Sequence, residues 1–231
     1  MKLDFSMILK GAYLDLLVHG AGMTIALFVV ALLCALVIAT VLTSVRASRF
    51  RALEWLVAAY VAYHRNVPLL VQLFVWYFGI PQILPLAVQT WINTQNSEFI
   101  FAMIGLSLNS AAYMSEDLRS GMRAVDAGQQ EAARALGLSY AQTLRDVLLP
   151  QAARIAIPPL TNQTLTLFKS TSLAMAIGVA EMTYASHQID NATFRAFEAY
   201  AVASVFYMTI SLAIMGFGAW LGRSRRSPAR R

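Results

Sequence analysis

Long stretches without any charged residue alternate with short charged segments along this chain. Residues 20–45, 66–97, 99–115 and 199–222 contain no Asp, Glu, Lys or Arg. A helix needs roughly 20 consecutive apolar residues to cross the hydrocarbon core of a bilayer. The pattern therefore predicts an all-α membrane protein whose chain crosses the bilayer several times.

We predict five transmembrane helices, at about residues 23–45, 53–78, 99–118, 155–180 and 199–222. The second of these contains His64, Arg65 and Pro68, so it is expected to be charged and kinked near its middle. Pro81 and Pro85 are expected to end it. The fourth is expected to start close to Pro158 and Pro159.

The segment before the first predicted span is amphipathic. Phe5, Leu9, Tyr13 and Leu16 fall near one helical face, which predicts a short interfacial helix. The sequence contains no internal repeat and no Gly/Ser-rich linker. Residues 1–231 are therefore expected to form a single transmembrane domain.

Composition and charge sharpen this picture. Only 13% of the residues are charged, against about 25% in soluble domains. The net charge of +6 does not indicate a nucleic-acid partner, because the basic residues flank apolar runs. They lie after the first, third and fifth predicted spans and in the segment before the fourth: Arg46, Arg49 and Arg51; Arg119 and Arg123; Arg134, Arg145 and Arg154; Arg223, Arg225, Arg226, Arg230 and Arg231. Five spans place all of these clusters on one side, which predicts an N-out/C-in topology.

The most soluble-looking part of the chain is the segment 126–151, called the 126–151 loop below. Asp126 is a helix N-cap residue, and Gly137 is typical of the left-handed position that follows a helix. Ser139 with Gln142 three residues later forms a second capping pattern, and Pro150 is expected to stop the second helix. The loop is therefore predicted to contain two short helices joined at a glycine.

Three interpretations of this helix pair can be compared. An ordinary solvated loop is compatible with its charges. A DNA-binding helix-turn-helix is disfavoured because transmembrane helices tether the pair at both ends, which leaves no room for supporting helices. A docking element fits best, since the small residues Ala132, Ala133 and Gly137 permit the close approach of a partner protein.

The sequence "EAARALG", followed by nine residues and "VLLP", resembles the EAA loop of ABC importer permeases. The residues that match in spacing and type are Glu131, Ala132, Ala133, Gly137, Val147, Leu149 and Pro150. In that family the loop is a coupling helix seated in a cleft of the cytoplasmic ATPase. The resemblance implies ATPase docking through these residues and the adjacent Leu138.

Further segments resemble permeases of the polar amino acid uptake family. They are "RNVPLLVQLFVWYFGIP" (65–81), "LSLNSAAYMSEDLRSGM" (106–122), "LPQAARIAIPPLTNQ" (149–163) and "KSTSL" (169–173). The residues around Asn66, "RNVPLLVQ", resemble the glutamate/aspartate-type subgroup in particular. The resemblance implies a type I, MetI-like permease fold in the bacterial cytoplasmic (inner) membrane. It also implies cytoplasmic ATPase subunits, a second permease subunit and an extracytoplasmic amino-acid-binding protein as partners.

Polar residues inside the predicted spans are candidates for a translocation pathway. Charges at mid-membrane are costly and usually face a cavity or a partner, although Arg65 could also pair structurally or reach an interface. Asn162, Thr166 and Lys169 share one face of the fourth span, which indicates either a pathway or bonds between helices. The full candidate set is Arg65, Asn66, Pro68, Asn162, Gln163, Thr166, Lys169 and Ser172.

The function predicted from these features is that of the permease subunit of an ATP-binding cassette importer for polar amino acids. The chain has no P-loop motif, so it is predicted not to be an enzyme and to carry no cofactor, with ATP and Mg²⁺ bound by the partner ATPase. An ion-coupled secondary carrier is the alternative, although such carriers often show inverted repeats. A receptor-like anchor without transport is disfavoured by the charged residues inside the spans.

Overall fold

In the computed structural model, which describes residues 3–47 and 50–223, every regular element of the described chain is helical. Arg49 and the arginines within 224–231 lie outside the described residues. The first helix, α1 (Gly11–Ala47), is 37 residues long. The prediction of a separate interfacial helix is wrong, because Tyr13 and Leu16 belong to α1 and no proline interrupts that helix.

The second predicted span is broken rather than merely kinked. Helix α2 (Arg51–Asn66) and helix α3 (Leu69–Phe74) meet at Pro68, and the chain bends by 110° there. Helix α3 continues through a π-helical turn (Val75–Gly79) into α4 (Ile80–Ile83). Pro81 lies just after this π-helical turn, and the chain stays helical through it to Ile83, so Pro81 does not end the helix.

Two helices, α5 (Leu86–Asn93) and α6 (Ser97–Arg123), lead to the 126–151 loop. The loop contains α7 (Ala127–Ala135), α8 (Tyr140–Gln142) and a π-helical turn (Thr143–Leu148). The remaining elements are α9 (Leu149–Ser170), a 3₁₀ turn (Thr171–Ile177), α10 (Met182–Thr193) and α11 (Ala196–Arg223).

The prolines of the fourth predicted span behave differently from the expectation. Pro150 does not stop a helix; it lies just after the π-helical turn, and the chain continues through it as α9. Pro158 and Pro159 lie inside α9 rather than at its start. The helix therefore begins earlier than the prediction, and it joins the 126–151 loop without an intervening break.

Helix α6 lies at the centre of the described bundle and packs against α1, α2 and α9. Its contact with α1 is built from small side chains, with Ala35 and Ala39 facing Ala111 and Met114. Ser107 adds a hydrogen bond across the same contact, donating its hydroxyl to the carbonyl of Ala31 at 3.3 Å. Small residues and occasional polar bonds are what hold transmembrane helices together.

Within the described residues, α1 and α11 are each long and apolar enough to cross a membrane. The bent pair α2 to α4 qualifies as a third crossing if it is counted as one span. Helices α6 and α9 are more polar, which their position explains. A helix that neighbours shield from lipid can carry polar residues, and Ser107, Ser110 and Ser115 of α6 are all buried.

The contact between α6 and α9 depends on a glycine. A Cβ atom at Gly121 would lie 2.8 Å from the carbonyl oxygen of Ala152 and 3.0 Å from the Cβ of Ala156. We expect Gly121→Val to force the two helices apart and to lower the melting temperature of the detergent-solubilised complex by about 5 °C. Gly22→Val is the matched control, because no heavy atom lies within 4 Å of its Cβ position. Equal melting temperatures for both variants would contradict the prediction.

Candidate functional site

The first helix of the 126–151 loop has a complete cap at each end. At its start, Asp126 Oδ1 accepts a hydrogen bond from the Gly128 N–H at 2.8 Å. At its end, Gly137 adopts φ +78°, its N–H bonds the carbonyl of Arg134 at 2.9 Å, and the Leu138 N–H bonds the carbonyl of Ala133 at 3.1 Å. These two bonds form a Schellman motif, which confirms the predicted helix end.

The second helix of the loop starts at the predicted capping box. The Ser139 N–H donates to Gln142 Oε1 at 2.9 Å, and the Gln142 N–H donates to Ser139 Oγ at 3.3 Å. Because α8 then continues through the π-helical turn into α9, a displacement of the loop acts directly on α9. Gln151 of α9 also donates to Gln129 Oε1 of α7 at 3.1 Å, which fastens the first helix to α9.

The residues of the family motif do not all face outward. Glu131, Ala132 and Gly137 are exposed, as are Leu149 and Pro150 near the start of α9. Leu138 and Val147 are half-buried. Ala133 is only 3% exposed, so it packs inside the loop of its own chain.

The largest apolar side chains that the loop presents to its surroundings are Leu136 and Tyr140. Leu136 is 80% exposed and Tyr140 is 69% exposed. Leu136 directly precedes Gly137, and Tyr140 starts the second helix three residues after it. Sequence reasoning missed both, although an apolar residue beside a helix-ending glycine in a charged segment was an available signal.

A second candidate site is a cavity of about 600 Å³, called the α2–α6–α9 cavity below. Its lining comes from the α2–α3 break, from the middle of α6 and from α9: Arg65, Asn66, Val67, Pro68, Leu69, Asn109, Tyr113, Gln163, Thr166 and Ser170. The structure thus brings together five of the candidate pathway residues, which are Arg65, Asn66, Pro68, Gln163 and Thr166.

The other three candidates lie elsewhere. Asn162 lines a separate cavity of about 630 Å³ between α9 and α11. Lys169 is exposed on the same face of α9 as Asn162 and Thr166, but it is not part of the lining of either cavity. Ser172 follows in the 3₁₀ turn and donates its hydroxyl to the Lys169 carbonyl at 2.8 Å.

Arg65 is the charged group of the α2–α6–α9 cavity. Its guanidinium lies 5.4 Å from the centre of the Tyr113 ring, a cation–π contact. Among the described residues it takes part in no ion pair, whereas Arg46 pairs with Glu116, and Arg119 lies 3.8 Å from Glu54. The guanidinium thus has no carboxylate within 4 Å among the described residues, and Asp117 is close enough to interact with its charge.

Asn109 and Tyr113 of α6 were missed as lining residues. They are four residues apart, so they lie on one face of α6. A polar stripe on the third predicted span was the available signal. What the sequence did not indicate is that this stripe faces the α2–α3 break.

Comparison with known proteins identifies the family. The sequence profile of the family described as "Binding-protein-dependent transport system inner membrane component" matches residues 31–227. The chain belongs to this family. As an inner membrane component of a binding-protein-dependent transport system, it is a permease subunit and not an enzyme, and the ATPase of the ABC importer is a separate subunit.

Its relatives include several amino acid permeases. The arginine transport system permease protein ArtQ of Bacillus subtilis is 34% identical over 227 residues, which is 98% of this chain and 99% of ArtQ. The glutamate/aspartate import permease protein GltJ of Escherichia coli K12 is 33% identical over 207 residues, 88% of this chain and 84% of GltJ. Because the relatives differ in their named substrates, the lean to the glutamate/aspartate subgroup stays a prediction.

Solved structures of ABC transporters share the fold. A chain of an amino acid ABC transporter crystallised with histidines matches with a TM-score of 0.85 and 30% identity, over 97% of this permease and all of that chain. A chain of the inward-facing MetNI methionine ABC transporter matches with a TM-score of 0.74 and 21% identity, over 94% and 100%. The predicted MetI-like permease fold is thereby confirmed, and nothing in these comparisons supports the ion-coupled carrier.

Proposed function

We propose that this permease imports an α-amino acid and that the α2–α6–α9 cavity binds it during passage. The observation that carries the proposal is Arg65, whose guanidinium lines the cavity and forms no ion pair within 4 Å in the described part of the chain. A guanidinium presents a fork of donors that matches a carboxylate. The amides of Asn66 and Gln163 and the hydroxyl of Thr166 supply polar contacts for the rest of the substrate.

Lys169 and Ser172 have a different place in this proposal. Together with Asn162 they extend the polar face of α9 beyond the cavity. In an assembly of two permease subunits, such a face is suited to line the passage between them. These three residues are therefore proposed to contact the substrate before or after it occupies the cavity.

We propose five membrane crossings, formed by α1, the bent pair α2 to α4, α6, α9 and α11, within a single domain of residues 1–231. The N-terminus lies outside and the C-terminus inside. The support is the distribution of arginines. Arg46, Arg51, Arg119, Arg123 and Arg154 lie at helix ends that this topology places on the cytoplasmic side.

The proposed partner of the 126–151 loop is a cytoplasmic ATPase that binds ATP and Mg²⁺, so that this chain itself carries no cofactor. The full assembly contains two ATPase subunits, a second permease subunit, identical or similar, and an extracytoplasmic amino-acid-binding protein. The loop is short, capped at both ends and continuous with α9. Closure of the ATPases would push the loop and, through α9, one wall of the cavity.

The test is an assay of the reconstituted complex in liposomes with the cognate binding protein. We expect one or a few amino acids to stimulate both ATP hydrolysis and uptake. Replacing the P-loop lysine of the ATPase should abolish both activities. Uptake by the permease alone, driven by an ion gradient, would contradict the proposal.

A further inference from the structure

The break between α2 and α3 leaves backbone carbonyls without their usual helical donors. Helix α2 ends at Asn66, and Pro68 has no N–H, so the carbonyl of His64 loses the donor four residues ahead. Away from water, an unsatisfied carbonyl is costly, and broken helices persist inside membranes only where other groups take over the bonding. Other groups must therefore donate to the His64 carbonyl here.

Side chains of Gln72 and Asn109 provide the missing donors. Gln72 Nε2 donates to the carbonyl of His64 at 3.1 Å and to the carbonyl of Val67 at 2.7 Å. Asn109 Nδ2 of α6 donates to the same His64 carbonyl at 2.9 Å. One side chain of α3 and one of α6 thus replace the bond to His64 that Pro68 removes, and Gln72 also bonds the carbonyl of Val67.

The orientation of the Gln72 amide is fixed by these bonds. Because its nitrogen must point at the two carbonyls, its oxygen must act as an acceptor. That oxygen lies 2.6 Å from His64 Nδ1 and 3.4 Å from Asn109 Nδ2. It follows that His64 carries a proton on Nδ1, where it donates to Gln72.

This cluster is buried, and it adjoins the cavity, which Asn109 also lines. Gln72 is fully buried, and His64 and Asn109 are 4% and 8% exposed. Arg65 and Asn66, the residues next to His64, line the cavity. The cluster therefore holds the backbone that carries the proposed substrate-binding side chains.

We propose that Gln72 is a positioning residue for transport: its amide fixes the 110° break at Pro68 and so directs Arg65 into the cavity. The inference rests on the proposed role of the cavity in binding the substrate. Gln72 itself does not contact the substrate. The transport defect of a Gln72 variant is expected to come from the position of the break rather than from loss of fold.

The test combines Gln72→Leu with Pro68→Ala in the reconstituted complex. Gln72→Leu leaves the His64 carbonyl with fewer donors, so we expect a lower melting temperature and a loss of uptake of at least about tenfold. In Pro68→Ala/Gln72→Leu, the new N–H at residue 68 can donate to His64 as in an unbroken helix. The double variant should recover the melting temperature but not the uptake.

Two outcomes would overturn the proposal. If the double variant recovers uptake together with stability, Gln72 serves the fold alone. If Gln72→Leu transports like the wild type, or if the double variant does not regain stability, the amide does not replace the bond that Pro68 removes. Gln82→Leu is the matched control, since Gln82 Nε2 also donates to a backbone carbonyl, that of Phe78 at 2.8 Å, but on an exposed helix turn.

Failure of the proposed function would look different. If the wild-type complex shows no amino-acid-stimulated uptake, the proposed substrate class is wrong. If Arg65→Ala transports normally while Gln72→Leu does not, the substrate site is elsewhere. In that case Gln72 still fixes the break that transport requires, but the claim that it acts by directing Arg65 is wrong.

Discussion

Leu136→Asp is expected to release the ATPase from this permease. Leu136 is 80% exposed, and it directly precedes Gly137 in the turn between the two helices of the 126–151 loop. We expect Leu136 to be a hot spot of the interface, and loss of a hot-spot side chain costs about 2 kcal/mol or more, which corresponds to roughly a 30-fold loss of affinity. In Leu136→Asp, the new carboxylate would also have to lose its water at the interface, which lowers the affinity further. ATP-driven uptake should therefore be lost.

The measurement is the affinity of the purified ATPase for the permease, together with the melting temperature of the permease alone. The melting temperature should stay unchanged, because an exposed side chain contributes little to the fold. Leu136→Met is the matched control, since it keeps an apolar side chain of similar size and should retain binding. Wild-type affinity in Leu136→Asp would show that the ATPase docks elsewhere.

The helix ends of this loop could be predicted from sequence because each depends on local chemistry. Asp126, Gly137 and the Ser139/Gln142 pair act within four residues of their own positions, and all three caps are present. The exposure of individual residues could not be predicted in the same way. Ala133 is buried and Leu136 exposed because of the packing of the loop on its own chain, which the motif does not encode.

The α2–α6–α9 cavity also combines features that the sequence predicts with one that it does not. Pro68 and Arg65 indicated a kink and a charged pathway residue, and the structure places both at a break in the second predicted span. The stripe of Asn162, Thr166 and Lys169 on one exposed face of α9 follows from helical periodicity. The contribution of Asn109 depends on which face of α6 meets the break, a contact between residues 45 positions apart that no local pattern reports.

The effects of several prolines on their helices were predicted wrongly, and the reason is physical. A proline removes one helical hydrogen bond, but neighbouring helices can hold the chain in helical form, as at Pro158 and Pro159 inside α9. Pro150 lies where the π-helical turn passes into α9, and the helical path continues through it. Pro68 is the case in which the helix does break, and there buried amide side chains are available to replace the lost bond.

Arg65→Ala is expected to reduce uptake by about 100-fold, because truncating one partner of a desolvated charge pair costs about 2–5 kcal/mol. Assembly with the ATPase should be nearly unaffected, since the described contacts of the guanidinium are limited to the face of Tyr113. Arg65→Lys keeps the charge but loses the fork of donors, so about a tenfold reduction is expected. The measurement is initial uptake rate against substrate concentration, with the yield of assembled complex determined in parallel.

Arg154→Ala provides the matched control for this prediction. It removes one arginine charge from the cavity between α9 and α11, which Arg65 does not line. If Arg65 binds the substrate carboxylate, only the Arg65 variants should lose uptake while keeping their assembly. An equal loss of uptake and assembly in Arg65→Ala would mean that the guanidinium supports the helix break and not the substrate. If Arg65→Ala and Arg154→Ala lose uptake to the same extent, the cause is the loss of a positive charge in general.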